Sequence, residues 1–335
     1  MADRDRQIAT FLDAQGWGAA TRRTLADDAS FRRYERLDLD GRPAVLMDAP
    51  PDKEDVRPFV SIAKILHGLG FSAPELYAQD IENGFLLLED FGDDTYTKVL
   101  AADPKQEAAL YTLATDFLIA LHSRFSEAPS VPPYDDARLQ IETNLLLDWY
   151  FPAVTGKPVP DGSRHDYEML WRALFRQART VPSTLILRDY HVDNLMWLPQ
   201  RPDEAACGLL DFQDAVIGPV TYDLVSLFED ARRDVPGTVA QTGLDRYLAA
   251  FPDLDPSAFR ASYAILGAQR SAKILGIFTR LDRRDGKPDY LCHIPRVWRW
   301  LESDLSHPVL SEMRDWFDHN LPPDRRITPE RIAGR

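Results

Sequence analysis

Apolar positions along this chain change their spacing once, near residue 90. Before that point they fall in short runs separated by turn residues, as strands do. The stretch TRRTLADDASFRRYERLDLDGRPAVLMDAP holds three strand-like runs. Asp40-Gly41 joins the second and third, and Asp-Gly is a strong signal for a two-residue hairpin. The segment ADDAS joins the first and second. The spacing predicts one helix over residues 6–15 and another over residues 56–69, the latter with Phe59, Ile62, Ala63 and Leu66 on one face. Two more strands, ELYAQD and GFLLLED, follow it, and the second breaks into EDFGDD.

Beyond this break the pattern turns helical. Asp103 is a good N-cap, with Pro104 at the first position and Gln106 at the third. Leu110, Leu113, Ala114, Phe117, Leu118 and Leu121 then keep helical spacing. Further helices are expected over residues 141–150, 166–180, 222–232, 245–250, 258–281 and 295–303. Only two β segments interrupt them, TLILRDYHVDNLMWL and ACGLLDFQDAVIG. The pattern predicts an α+β chain of two lobes: a β-rich one over residues 1–90 and a larger, mostly helical one over residues 91–335.

Composition narrows the partners. With 44% hydrophobic and 27% charged residues in 335, the chain can bury a large core. The net charge of −14 argues against nucleic acid as the main partner, because no basic excess exists to displace counterions from phosphates. Small anionic ligands need only local positive charge and stay open. Cys207 and Cys292 form no paired motif and read as two half-buried thiols. No apolar stretch approaches membrane-spanning length and the charged N-terminal stretch lacks a signal-peptide core, so a cytoplasmic protein is expected.

The chemistry concentrates in LILRDYHVDNLMWL, where apolar runs flank Arg188, Asp189, His191, Asp193 and Asn194. Polar groups drawn toward an apolar interior are costly unless they are used. A third element is Asp211 in GLLDFQD, at the end of an apolar strand. Asn194 and Asp211 offer hard oxygen ligands of the kind Mg²⁺ takes, leaving room for phosphate oxygens. Asp189 then remains to orient a hydroxyl and accept its proton. Together they form a phosphoryl-transfer arrangement.

RDYHVDN resembles the catalytic-loop motif of the protein-kinase-like fold, and LLDFQD resembles its metal-binding segment. GPVTYDLVSLF resembles the aminoglycoside phosphotransferase branch, where the aspartate matching Asp223 braces the catalytic loop. DDASFRRY, LMDAPPD, LLLEDFGDDTY and ETNLLLDWY, with those segments, resemble the bacterial anomeric kinases of cell-wall amino sugars. The resemblance implies ATP and Mg²⁺ as cofactors and a small amino sugar, N-acetylmuramate or N-acetylglucosamine, phosphorylated at its C1 hydroxyl for peptidoglycan recycling. It also implies that the backbone of Glu89, Asp90 and Phe91 bonds the adenine edge.

This sequence departs from the pattern in two places. The loop DDASF has no glycine, and Met47 stands where the fold usually carries a phosphate-binding lysine. Ser30, Phe31, Arg32 and Arg33 are therefore the candidate phosphate-side contacts, with Lys64 as another source of charge. On the acceptor side the candidates are Glu142, Asn144, Trp149, His191, Gln213, Asp214, Arg270 and Lys273. Arg270 and Lys273 share a helix face and could meet an acceptor carboxylate; a solvated charged face is the competing reading. Trp149 could stack on a sugar or pack in the core, and His191 could bond the sugar or pack under its loop. Two rivals stay open: a kinase for an aminoglycoside, choline or homoserine, and a non-catalytic pseudokinase.

Overall fold

The structure, a computed structural model, describes residues 2–25 and 31–331. Helix α1 (Ala2–Ala14) precedes strands β1 (Thr21–Thr24), β2 (Arg33–Leu39) and β3 (Arg42–Asp48). Helix α2 (Arg57–Gly68) leads to β4 (Leu76–Asp80) and β5 (Phe85–Leu88). The five strands form one antiparallel sheet in the order β1-β2-β3-β5-β4. The hairpin between β2 and β3 turns on Asp40 and Gly41 at φ 53° and 81°, the left-handed pair that matches the twist of adjoining strands.

Then come α3 (Tyr96–Ala102), α4 (Glu107–Arg124), α5 (Asp136–Leu145), α6 (Phe151–Thr155) and α7 (Asp161–Ala178). The strands β6 (Ser183–Ile186), β7 (Leu195–Trp197), β8 (Cys207–Leu209) and β9 (Val216–Pro219) follow, pairing as β6 with β9 and β7 with β8. The chain ends in α8 (Tyr222–Phe228), α9 (Gly237–Ala250), α10 (Pro256–Asp285), α11 (Ile294–Leu305) and α12 (Ser311–Asn320). None of the described helices is long and apolar enough to cross a membrane.

Several boundaries differ from expectation. Asp103 caps a short 3-10 turn, Pro104–Gln106, by accepting from Lys105 N at 3.1 Å, and α4 begins only after it. The helix expected over residues 141–150 starts earlier, with Asp135 capping Arg138 N, and ends in a π turn, Leu146–Tyr150. The end of α5 that leads into this turn lies tight against α10: a Cβ on Gly276 would sit 2.3 Å from the Leu145 carbonyl carbon. Helices α3 and α12 were not anticipated. The first has only 7 residues, and the apolar positions of the second are diluted by charges. Cys207 is buried and Cys292 exposed, so neither is the half-buried thiol expected.

The chain forms two compact units. The first comprises Met1–Phe117 and Val192–Ala215; the second comprises Leu118–His191 and Val216–Arg335. The core of the first packs Ile8, Phe11 and Leu12 of α1 on Leu37, Ala44, Leu46, Phe85 and Leu87 of the sheet. The core of the second gathers around α10, whose residues Ile265, Leu266, Ala268, Ala272 and Leu275 are buried.

Candidate active site

Strand parity builds the first part of the site. Alternate residues point to opposite faces of a sheet. In β2, β3 and β5, Leu37, Ala44, Leu46, Phe85 and Leu87 face α1. The other parity, Tyr34, Arg36, Val45, Met47 and Leu88, lines a cavity of about 470 Å³ in the first unit. Glu89, Asp90 and Phe91 line it too, with Asn194, Met196, Leu210 and Asp211. Glu89 N donates to Glu75 O at 2.8 Å, and the Phe91 ring lies 5.0 Å from the Arg201 guanidinium carbon.

The short hairpin of β7 and β8 brings the two oxygen donors together. Leu195 pairs with Leu209, and Leu210 N donates to Asn194 O at 2.9 Å. Asn194, just before β7, and Asp211, just after β8, thus lie at the same end of one ladder. Asp211 has φ 56°, a left-handed conformation that aspartate tolerates better than most residues. The next residue, Phe212, stacks on Phe59 of α2 with ring centroids 4.7 Å apart. Arg32 Nη1 donates to Asp211 Oδ1 at 3.2 Å, and Gln213 Nε2 donates to the same atom at 2.8 Å.

Among the described residues, no group of three or more His, Cys, Asp or Glu side chains could close around a metal. The pair Asn194 and Asp211 suits Mg²⁺ instead, which is held by few protein oxygens and completes its shell with water and phosphate.

The second unit carries Asp189, and its loop is tightly fixed. Asp189 N donates to Leu187 O at 2.9 Å across Arg188, which has φ 70°. That is a γ-turn through a strained backbone region, which persists only where the surroundings hold it. Asp223, at the start of α8, supplies one hold: its carboxylate accepts from Leu187 N at 2.6 Å and Arg188 N at 2.9 Å. Burial pushes the Asp223 carboxyl up to about 7, against the pull of those two donors. Glu142 on α5 supplies the other. It accepts from Arg188 Nη2 and from Tyr134 Oη, and from Gln269 Nε2 at 3.0 Å, with Lys273 Nζ at 3.4 Å.

The result is an ionised Asp189. Burial opposes its charge, but the cations Lys273, Arg188 and Arg270 outweigh that and hold its carboxyl below the ordinary value. Glu142 is lowered in the same way: burial raises it, and Lys273 and Arg188 bring it down further than burial lifts it. Burial dominates at His191 and lowers it, so the ring is neutral at neutral pH; its Nε2 lies 3.3 Å from Arg232 Nη1. An ionised carboxylate on a rigid loop can accept a proton from a hydroxyl.

The remaining predicted residues divide. Arg270 and Lys273 are both buried, which rules out a solvated charged face. Asn144 donates to Glu168 Oε1 at 3.1 Å, and Trp149 is half-buried. Asp214 is exposed. Arg33 has the parity of Leu37, so it lies on the sheet face away from the cavity, and it is exposed. Phe31 is 65% exposed, and Lys64 is exposed on α2. Ser30 lies outside the described residues. Arg36 was missed: it donates to Asp93 at 3.0 Å, to Asp90 Oδ1 at 3.0 Å and to Gly92 O at 2.8 Å. Its parity with Tyr34, read from the sequence, was the signal for it.

Comparison with known proteins places this geometry. A model of the phosphotransferase enzyme family matches residues 21–260. The N-acetylmuramate/N-acetylglucosamine kinase of Caulobacter vibrioides is 36% identical, over 97% of this chain and 99% of its own. That of Pseudomonas aeruginosa is 40% identical over 92% of each chain. A choline/ethanolamine kinase family protein from Mesorhizobium loti has the same fold, with a TM-score of 0.63 at 14% identity over 93% of this chain and 98% of that one. The α+β class expected from the strand and helix pattern and the kinase-like fold implied by the motif resemblance are thus the observed ones, and the chain belongs to the phosphotransferase enzyme family.

Proposed function

We propose that this protein is an ATP-dependent kinase that phosphorylates the anomeric C1 hydroxyl of N-acetylmuramate and N-acetylglucosamine. The observation that carries the reading is the 40% identity, over 92% of the chain, to a kinase named for both sugars. The ionised Asp189 and the paired donors Asn194 and Asp211 give that reading its chemistry.

Asp189 orients the acceptor hydroxyl and takes its proton as the hydroxyl oxygen attacks the γ-phosphorus. The bond from that phosphorus to the oxygen bridging the β-phosphate breaks, and ADP leaves with the electron pair. Asn194 and Asp211 hold Mg²⁺, which when bound neutralises charge on the phosphate oxygens. Glu89, Asp90 and Phe91 border the base, and Asp223 and Glu142 keep the Asp189 loop in its strained form. The product is a sugar 1-phosphate, the form consumed in making a UDP-sugar, so the reaction serves peptidoglycan recycling in the cytoplasm.

The test is ³¹P NMR of the protein with Mg-ATP and each amino sugar, with an aminoglycoside and choline in parallel. A sugar phosphate resonance split by the anomeric proton is expected with the amino sugars. Phosphorylation of only the cationic acceptors would overturn the substrate assignment, and intact ATP with every acceptor would overturn the activity.

A further inference from the structure

The cavity of the first unit is lined by acids: Glu89, Asp90, Asp93, Asp193 and Asp211. A nucleotide polyphosphate bound there needs cationic partners to offset them. Among the described residues, the cations on the cavity wall pair with Asp90 and Asp93 and not with Asp211, the carboxylate assigned to metal. Arg36 spends its guanidinium on Asp90, Asp93 and Gly92 O, and Lys98 Nζ lies 3.7 Å from Asp93. Met47, which faces the cavity from β3, carries no charge and is buried. Lys64 is exposed on α2, away from the buried face formed by Phe59, Ile62, Ala63 and Leu66. Lys53 is largely exposed and pairs with Asp52 at 3.7 Å, and Arg33 points to the far face of the sheet.

Arg32 differs from all of these. It immediately precedes β2, its side chain is only 11% exposed, and its guanidinium reaches two carboxylates. Nη1 lies 3.2 Å from Asp211 Oδ1, and Nε lies 3.8 Å from Glu54 Oε2. Glu54 precedes α2, so it ties the arginine to the start of that helix; it also accepts from Phe31 N at 3.4 Å. A guanidinium so held, beside the carboxylate assigned to metal, lies where phosphate oxygens on that metal would need a donor.

We propose that Arg32, steered by Glu54, is the side chain that binds the nucleotide's phosphates, doing from the start of β2 what Met47 cannot do from β3. The proposal rests on the kinase reading and adds where the phosphate-binding charge resides. Arginine suits the position because its planar fork can contact two oxygens at once and stays charged when half-buried. Glu54 is a positioning residue: it fixes the guanidinium plane without touching phosphate.

The test compares nucleotides that differ only in phosphate. Calorimetric titration with adenosine, AMP and ADP, each with Mg²⁺, is run on the natural chain, Arg32→Gln, Arg32→Lys, Met47→Lys, and Arg32→Gln combined with Met47→Lys. Thermal melts check that each variant folds. In Arg32→Gln, ADP should bind about 10-fold more weakly or worse while adenosine is unchanged. Arg32→Lys should recover part of the loss, and Met47→Lys should recover ADP affinity in the Arg32→Gln background. Equal losses for adenosine and ADP, or no loss for ADP, would overturn the proposal. So would a gain in ADP affinity from Met47→Lys alone, because it would show the phosphate site to be vacant. These outcomes are read without acceptor, so Arg32 can fail here while the natural chain still phosphorylates its sugar; failure of the kinase reading appears instead in the ³¹P experiment.

Discussion

Two charged clusters differ: some acids on the cavity wall of the first unit stay partly in water, whereas the charges gathered on Glu142 in the second unit are buried and bonded to one another. Around the cavity, Asp93 and Asp211 are 62% and 33% exposed at the side chain. In the second unit, Glu142 and Lys273 are about 10% exposed, and four side chains converge on the Glu142 carboxylate. Partly hydrated charges exchange partners at small cost, which suits a wall that must accept a polyphosphate. A buried, saturated carboxylate cannot exchange partners cheaply, which suits a frame that must hold Asp189 in one place. This reassigns Glu142. Expected as a sugar contact, it has its oxygens committed to Tyr134, Arg188, Gln269 and Lys273, and we propose that it positions the loop.

The sharpest test of that contrast is Asp189→Asn. Turnover should fall by at least ~10²-fold, the scale of a lost general base, with ADP affinity and thermal melting little changed. A variant that turns over normally removes Asp189 from the chemistry.

Glu142→Ala should come next, because it strands Arg188 and Lys273 as buried cations. Urea unfolding should show a loss of about 3–5 kcal/mol, the cost of breaking a buried ion pair. A loss below 1 kcal/mol would mean that water enters the network and that the two units do not differ as argued.

A third effect is a pH dependence confined to the second unit. Glu229 at the end of α8 and Asp304 on α11 share a hydrogen bond beside Tyr263, and Gly267 leaves room for Asp304. Burial pushes Glu229 up to about 7, and burial together with Glu229 raises Asp304. The folded chain therefore keeps protons that the unfolded chain releases near the ordinary value of 4.5. Their contribution is fully present below that value and is lost as pH rises through about 7. Glu229→Gln should flatten the decline seen in urea unfolding at a series of pH values. Asp223, raised in the same direction, should keep some of it. An identical slope in the variant would show that the pair does not titrate in this range.

The smallest effect belongs to the first unit. Arg22 and Glu35 pair at 2.6 Å across β1 and β2, with side chains 30% and 25% exposed. Arg22→Ala should cost less than about 1 kcal/mol. A loss as large as that of Glu142→Ala would erase the difference between the units.

Short-range features were legible without the structure. Asp40-Gly41 dictated its hairpin because two adjacent left-handed residues are rare outside that turn. The motifs around Asp189, Asn194 and Asp211 marked them as candidates, and the β7–β8 ladder sets the last two at one end because residues next to paired strand ends emerge together. Long-range features were not legible. Glu142 meets Arg188 and Gln269 from 46 and 127 residues away, and no local period records such a meeting. Arg270 and Lys273 show the same limit: three residues apart on one helix, they have the spacing of a solvated face as much as of a buried one.

The sequence by itself therefore determined most of the elements, the alternation that sorts strand residues onto two faces, and which carboxylates are candidates for the chemistry. Those follow from backbone periodicity and from the chemistry of each side chain. Only the tertiary structure decided which charges are buried, which of them Glu142 gathers, and which arginine stands beside Asp211. Burial and pairing are properties of packed elements, and they set whether a charge is spent on holding the fold or kept for a ligand.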